Sequence, residues 1–277
     1  MSIRAWQPVG FLSAEGARLL LVGKVAVITG VGPGLGRAIA LALAREGAAV
    51  ALTARNEERL GQIAADVEAA GGRALPVPAN VVDADDCARV AATAAAELGG
   101  IDIVVNSAFR GDPGVPFESA DLVKWRKVFE VNLWGALQLT QACVPALAAR
   151  GGGSVVMVAS MSARKIRPNE GSYAASKGAL LIATRSLAAE LGPQQIRVNA
   201  VVPGWIWGPN VGVYVDWQVQ ERGITREEAI AEITAEIPLG EIPPQEDVAE
   251  SVLFFASPMA RMVTGQALDV NGGEWFG

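Results

Sequence analysis

From Lys24 onward, short apolar runs alternate with longer stretches of helical period. The apolar runs are Val25–Thr29, Ala48–Thr53, Ala74–Val77, Ile101–Asn106, Gly153–Ala159, Ile196–Val202 and Gln266–Val270. Most are continuously apolar rather than alternating, as a strand covered on both faces must be, and this predicts a parallel sheet between layers of helix. Helical stretches at Gly34–Arg45, Glu57–Ala70, Asp85–Leu98, Ala120–Ala149 and Tyr173–Leu191 separate the strands. The repeated alternation predicts an α/β fold: a single Rossmann-like, doubly wound parallel sheet of about seven strands, with helices on both faces.

Residues 205–244 break the pattern. Thr225 followed by Glu228 is a capping-box start for a helix reaching about Ile237, where Pro238 stops it. An inserted helical segment at one edge of the sheet is where a small substrate lid would sit. The expected organisation is an N-terminal extension over residues 1–22 and one domain over 23–277 that carries the lid. The apolar run Leu19–Val22 is too short to span a membrane, and Pro8, Glu15 and Arg18 interrupt any secretory leader. A cytoplasmic location is expected.

Composition narrows the chemistry. The 277 residues are 51% hydrophobic and 19% charged with a net charge of −6, which favours a well-buried core and offers no general attraction for nucleic acid or an anionic membrane. Neither partner is expected. The absence of histidine removes Ser-His-Asp catalysis, histidine-ligated zinc and histidine bases together. Cys87 and Cys143 are isolated, so they read as buried small hydrophobes, and no metal site is expected. Acid–base work is left to Tyr, Lys, Asp, Glu or Ser.

A glycine-rich segment, Thr29-Gly30-Val31-Gly32-Pro33-Gly34-Leu35-Gly36, follows the first strand and opens the first helix. Glycines let the backbone approach a pyrophosphate, and the helix N-terminus presents free N–H groups. Gly30, Gly32, Gly34, Leu35 and Gly36 are therefore candidate dinucleotide contacts. At the end of the second strand, where an acid would accept the adenosine ribose hydroxyls, the chain has Ala54-Arg55-Asn56. Arg55 could pair with a 2′-phosphate, which favours NADP(H) over NAD(H). The plain alternative is a solvated arginine beside a helix capped by Asn56.

Ser160 ends the fifth strand, and Tyr173 and Lys177 stand four residues apart on a predicted helix, so their side chains share one face. With only two tyrosines and five lysines in the chain, such a pair is uncommon.

These motifs together resemble the short-chain dehydrogenase/reductase family from about residue 24 to the C-terminus. The T-G-x(3)-G-x-G turn, Asn132 within Val131-Asn132-Leu133, the serine thirteen residues before Y-x(3)-K, and Pro203-Gly204 after the sixth strand occur in the family's order. The resemblance implies an oxidoreductase that moves a hydride between nicotinamide and a carbonyl or alcohol carbon. Its implied catalytic tetrad is Asn132, Ser160, Tyr173 and Lys177. Tyr173 and Lys177 would also hold the cofactor, Asn80 would contact the adenine, and Ile206 the nicotinamide amide. Val81, Asn106, Pro203 and Gly204 join them as implied cofactor contacts. In the implied mechanism Tyr173 donates the proton, the Lys177 ammonium favours its phenolate, Ser160 holds the substrate oxygen, and Asn132 holds a water leading to solvent. Relatives form tetramers through the helix equivalent to 173–191. Here that helix presents Ala174, Ala175, Ala179, Leu180, Ala183, Leu187 and Ala188, so a homotetramer is implied. Two positions depart from the family: Phe109 replaces a glycine after the fourth strand, and Gly208 replaces a threonine. The Y-x(3)-K interval differs from the longer one typical of enoyl reductases.

Trp205, Trp207, Tyr214 and Trp217 crowd one end of the lid and, with Phe109 and Met161, suggest an apolar pocket for a hydrophobic or cyclic ketone or secondary alcohol. Packing of the lid onto the sheet, or a subunit contact, is the competing explanation. Two further functional readings stay open: an NAD(H)-dependent alcohol dehydrogenase, and a dinucleotide-binding sensor without turnover.

Overall fold

The computed structural model describes residues 19–112 and 114–277. Its centre is one parallel seven-stranded sheet in the order β3-β2-β1-β4-β5-β6-β7, where β1 is Val25–Thr29, β2 Ala49–Thr53, β3 Arg73–Pro76, β4 Ile103–Asn106, β5 Gly153–Val158, β6 Ile196–Pro203 and β7 Ala267–Val270. The continuous apolar runs have the predicted cause: every residue of β1 and β4 is buried. Alternate side chains feed opposite cores. Ala26 and Ile28 pack with α1 (Leu35–Arg45) and α9 (Gln245–Ala256), whereas Val27 packs with α3 (Ala84–Leu98), α5 (Ala136–Ala149) and α6 (Gly171–Leu191). Strand order reverses between β1 and β4, which opens a crevice at their carboxyl ends, where sheets of this kind bind ligands.

Three elements differ from the periodicity. The stretch Ala120–Ala149 is not one helix but α4 (Leu122–Phe129), a wide π-type turn over Glu130–Gly135, and α5. In that turn Gly135 abuts Val81, whose Cγ2 would stand 2.7 Å from a Cβ at Gly135. The lid holds two helices where one was predicted. Here α7 (Pro209–Arg222) starts on a proline and ends at Gly223 with φ 67°, and α8 (Arg226–Thr234) has the expected reciprocal Thr225–Glu228 capping box. The lid has its own small core of Val211, Val215, Ala229, Ile233, Ile237 and Ile242. Third, Ala174, Leu180 and Ala188 of α6 are buried, the last two in the sheet's core, which leaves Ala175 and Ile182 exposed on the outer face. A helix running between sheet and surface must divide its small residues between both sides. Residues 1–18 of the N-terminal extension lie outside the described residues, while Leu21 is buried and its N–H donates to the Glu46 carbonyl at 2.8 Å.

Candidate active site

The glycine-rich turn is fixed from beneath. Thr29 Oγ1 accepts the backbone N–H groups of Ser107 (3.1 Å) and Ala108 (3.3 Å), tying the end of β1 to the loop after β4. That closeness excludes a side chain at Gly30, where a Cβ would stand 2.5 Å from the Ala108 nitrogen and φ is 69°. Gly36 is equally confined, its Cβ position lying 2.4 Å from the Gly30 carbonyl oxygen. No side chain caps the N-terminus of α1, so its first N–H groups stay available to a ligand.

Above this turn lies a cavity of about 520 Å³. It joins Gly30, Gly34, Leu35 and Gly36 to Ser160, Tyr173 and Lys177, and to Pro203, Gly204 and Ile206. Phe109, Met161, Trp205 and Trp207 supply an apolar wall. A glycine cradle that a Cβ would fill, continuous with a cleft holding tyrosine and lysine, fits a nicotinamide dinucleotide: the turn would hold the pyrophosphate, and the cleft the nicotinamide end.

Ser160 is extended at the end of β5, and its Oγ accepts the Ser162 N–H at 3.2 Å. Tyr173 projects from the first turn of α6, its ring edge-on to Phe109 at 6.5 Å. Burial raises the Tyr173 phenol above its ordinary value; the adjacent Ser160 hydroxyl works the other way, and the Glu170 charge adds to the rise. One turn on, Lys177 is only 2% exposed. Its Nζ lies 5.7 Å from the centre of the Tyr173 ring and donates to the Val158 carbonyl at 2.7 Å. Burial pushes this ammonium down to about 7. A solvated lysine is thereby excluded.

Several candidates lie away from the cavity wall. Asn132 is buried, its Oδ1 accepting from Arg110 N–H (2.7 Å) and its Nδ2 donating to the Arg110 carbonyl (3.0 Å) and to Ser176 Oγ (2.9 Å). Both amide hydrogens are therefore spent on protein, and a water at Asn132 would be held through its oxygens. The side chain ties the π-type turn and the loop after β4 to α6. Asn106 is buried beneath the site and donates to Thr140 Oγ1 at 2.9 Å. Asn80 is exposed, and its Oδ1 accepts from Val82 N–H; the Val81 carbonyl accepts from Gln138. Gly32, half-buried, and Arg55, exposed, stand outside the cavity lining. Asn56 caps α2 (Glu57–Ala69) by accepting the Arg59 N–H at 2.9 Å. Tyr214 and Trp217 also fall outside. Tyr214 sits between Trp205 (5.1 Å) and Trp217 (5.9 Å) and packs against the lid's own core, while Trp217 is 52% exposed.

The structure adds polar groups that spacing did not disclose. Asp112, Lys165, Arg167, Glu170 and Gln245 all line the cavity. Asp112 takes the place of an N-cap for α6: it accepts from Ser172 N–H (2.8 Å), Tyr173 N–H (3.3 Å) and, by a short contact, Ser172 Oγ. Burial pushes its carboxyl up, but bonds from Ser172, Gly114 and Tyr173 outweigh that and hold it below its ordinary value. Gln245 fills the room left at Gly208, its Nε2 lying 2.6 Å from where a Cβ would be. The one available signal was the basic run Arg164-Lys165-Ile166-Arg167 in an acidic chain.

A family model described as Enoyl-(Acyl carrier protein) reductase matches residues 30–274. A 7α-hydroxysteroid dehydrogenase of Escherichia coli (strain K12) is 31% identical over 255 residues, which cover 92% of this chain and 95% of that one. The chain belongs to the short-chain dehydrogenase/reductase family. As a member, it is an oxidoreductase acting on alcohol or ketone substrates. Among solved family structures, a 7α-hydroxysteroid dehydrogenase complexed with NADH and 7-oxo glycochenodeoxycholic acid superimposes with TM-score 0.84 at 32% identity, covering 92% of this chain and 96% of that one. The L-sorbose reductase of Gluconobacter frateurii, complexed with NADPH and L-sorbose, gives TM-score 0.89 at 32% identity, covering 93% and 98%. Among the described residues no helix is long and apolar enough to cross a membrane, and no cluster of side chains could hold a metal ion. Both cysteines are buried and free, their thiols pushed up by burial to about 11 at Cys87 and about 12 at Cys143.

Proposed function

We propose that this protein is an NADP(H)-dependent carbonyl reductase that interconverts a hydrophobic or cyclic ketone with its secondary alcohol. The observation that carries the reading is the convergence of Ser160, Tyr173 and Lys177 on one cavity with the glycine-rich turn. A dinucleotide sensor has no use for a buried tyrosine–lysine pair, whose burial is costly without a task. The nicotinamide, when bound, supplies or accepts the hydride. Ser160 Oγ hydrogen-bonds the substrate oxygen, and Tyr173 donates its phenolic proton to that oxygen as negative charge develops. Lys177, when protonated, stabilises the phenolate left behind. Asn132 sets the pitch of α6 through Ser176. The single-turn interval between Tyr173 and Lys177 supports carbonyl over enoyl reduction. The wall of Phe109, Met161, Trp205 and Trp207 favours an apolar ring.

Arg55 is the basis for preferring NADP(H). It stands exposed at the carboxyl end of β2, close to where the adenosine ribose of a bound dinucleotide lies. The relatives differ on this point, one being complexed with NADH and another with NADPH. An NAD(H)-linked alcohol dehydrogenase is therefore the second reading. We place the protein in the cytoplasm as a homotetramer, with one catalytic domain over residues 23–277 and its lid over 205–244. Titration of the seven tryptophans by quenching with NADPH and with NADH tests the cofactor. A charge-assisted contact at Arg55 of about 1.5–3 kcal/mol makes NADPH bind roughly 10- to 150-fold tighter, and Arg55→Ala removes the difference. Equal affinities select the NAD(H) reading. Failure of both nucleotides to bind removes the enzyme reading.

A further inference from the structure

We infer that the mouth of the cavity recognises a carboxylate carried by the substrate, through Arg167 with Lys165 beside it. This deepens the reductase reading and rests on it. Both cations belong to the loop between Ser160 and α6, both line the cavity, and their side chains are 31% and 28% exposed. They converge on one oxygen: Glu274 Oε1 accepts from Arg167 Nη2 at 2.8 Å and from Lys165 Nζ at 3.0 Å. The Glu274 side chain is wholly buried, and its Oε2 has no partner among the described residues. Burying a carboxylate is unfavourable unless it is paired. A surface arginine and lysine would need no such anchor, so Glu274 is a positioning residue that holds the two cations at the rim.

The two cations are not equally engaged. Lys165 also reaches Glu236, whose carboxylate is 62% exposed on the solvent side. Arg167 bonds to Glu274 through Nη2 alone; its Nε and Nη1 donate to no described residue. Its guanidinium lies over the Trp205 ring at 4.7 Å. Stacking covers its flat face and leaves the in-plane N–H groups at the edge, the geometry that pairs with a carboxylate by two parallel bonds. The acids that line the same cavity do not bond to either cation: Asp112 accepts from the start of α6, and Glu170 Oε2 accepts from Ser162 Oγ at 3.1 Å. With the apolar wall formed by Phe109, Met161 and Trp207, the site suits a cyclic or aryl keto acid, its ring on the wall and its carboxylate at Arg167.

The test uses the full-length enzyme with saturating NADPH, or NADH if that is the cofactor bound. Its substrates are keto acids of increasing carbonyl-to-carboxylate separation, from 4-oxocyclohexanecarboxylate to 4-acetylbenzoate, each paired with its methyl ester. For at least one pair, kcat/KM for the acid should exceed that for the ester by ~10-fold or more, chiefly in KM. Arg167→Gln should bring this ratio close to one, and Arg167→Lys, which keeps the charge that Glu274 requires, should restore part of it. Esters reduced as well as acids would overturn the carboxylate site and leave the reductase standing, as would an acid preference that survives Arg167→Gln. Reduction of no acid and no ester by a protein that binds the nucleotide would overturn both.

Discussion

Tyr173 and Lys177 sit where burial opposes the charge each would carry. Burial and the nearby Glu170 raise the phenol, so Tyr173 is a firmly protonated donor in the reduction direction. Replacing it by Phe removes the proton and leaves the glycine-rich turn untouched. Tyr173→Phe should abolish turnover while NADPH affinity by tryptophan quenching changes less than about threefold; full activity in that variant would remove the assignment. Lys177 sets a different limit. Its ammonium is held down to about 7, so the charged form is lost as pH rises through neutrality, well before Tyr173 gives up its proton. The expected profile of kcat/KM for carbonyl reduction is a fall as pH rises, beginning near pH 7, with its upper plateau on the acid side. Lys177→Arg, charged throughout, should carry that fall to higher pH whatever it does to the maximum. A wild-type profile flat from pH 6 to 9 would contradict the role. The two residues were legible from their four-residue interval; the direction of their shifts was not, because burial depends on what packs over a residue.

At the scale of elements, α6 carries the tyrosine yet has no cap of its own. The Glu170 side chain at its N-cap position accepts no helical N–H, and Asp112 from the loop after β4 serves instead. Asp112→Ala should destabilise the fold by about 1 kcal/mol, the usual cost of a lost cap, and lower kcat by freeing the turn that bears Tyr173. Thermal denaturation and initial rates check the two effects, and an unchanged kcat would reduce Asp112 to a stabilising role. Because its carboxyl is held below its ordinary value, the contribution is present at neutral pH and lost only as pH falls through that lowered value. The Asp112 cap joins residues 60 apart in sequence, and the Glu274 anchor reaches 107 and 109. No local spacing encodes such pairs. Local signals did mark the sheet, through the continuous apolar runs, and α8, through Thr225 and Glu228. They missed α7, where only Val211 and Val215 are buried while Val213 and Trp217 face outward, so the apolar stripe is too thin to mark a helix. They also carried Ala120–Ala149 through as one helix, since the π-type turn adds its bend without interrupting the apolar content.

At the scale of the whole molecule, apolar surface is left over in two places. Leu122, Val123 and Trp134 are 54–56% exposed along α4 and the π-type turn, with Ile182 at 61% on α6. Met262 and Phe276, 80% and 81% exposed, flank β7, the edge strand of the sheet, in sequence. Apolar surface on two separate faces is more than an isolated subunit normally leaves to solvent, and two isologous contacts generate a closed assembly of four. Ala175 and Ile182 mark the outer side of α6, where one small side chain lets a partner helix approach and one large one gives it something to bury. The expected species in sedimentation equilibrium has four times the chain mass of 28.8 kDa. A charge placed in one contact should separate it without disturbing the other, so Ile182→Glu should yield dimers whose nucleotide affinity is retained. The same variant remaining tetrameric would move the contact off α6. A wild-type monomer would mean that these faces stay in water and that no assembly is built on them.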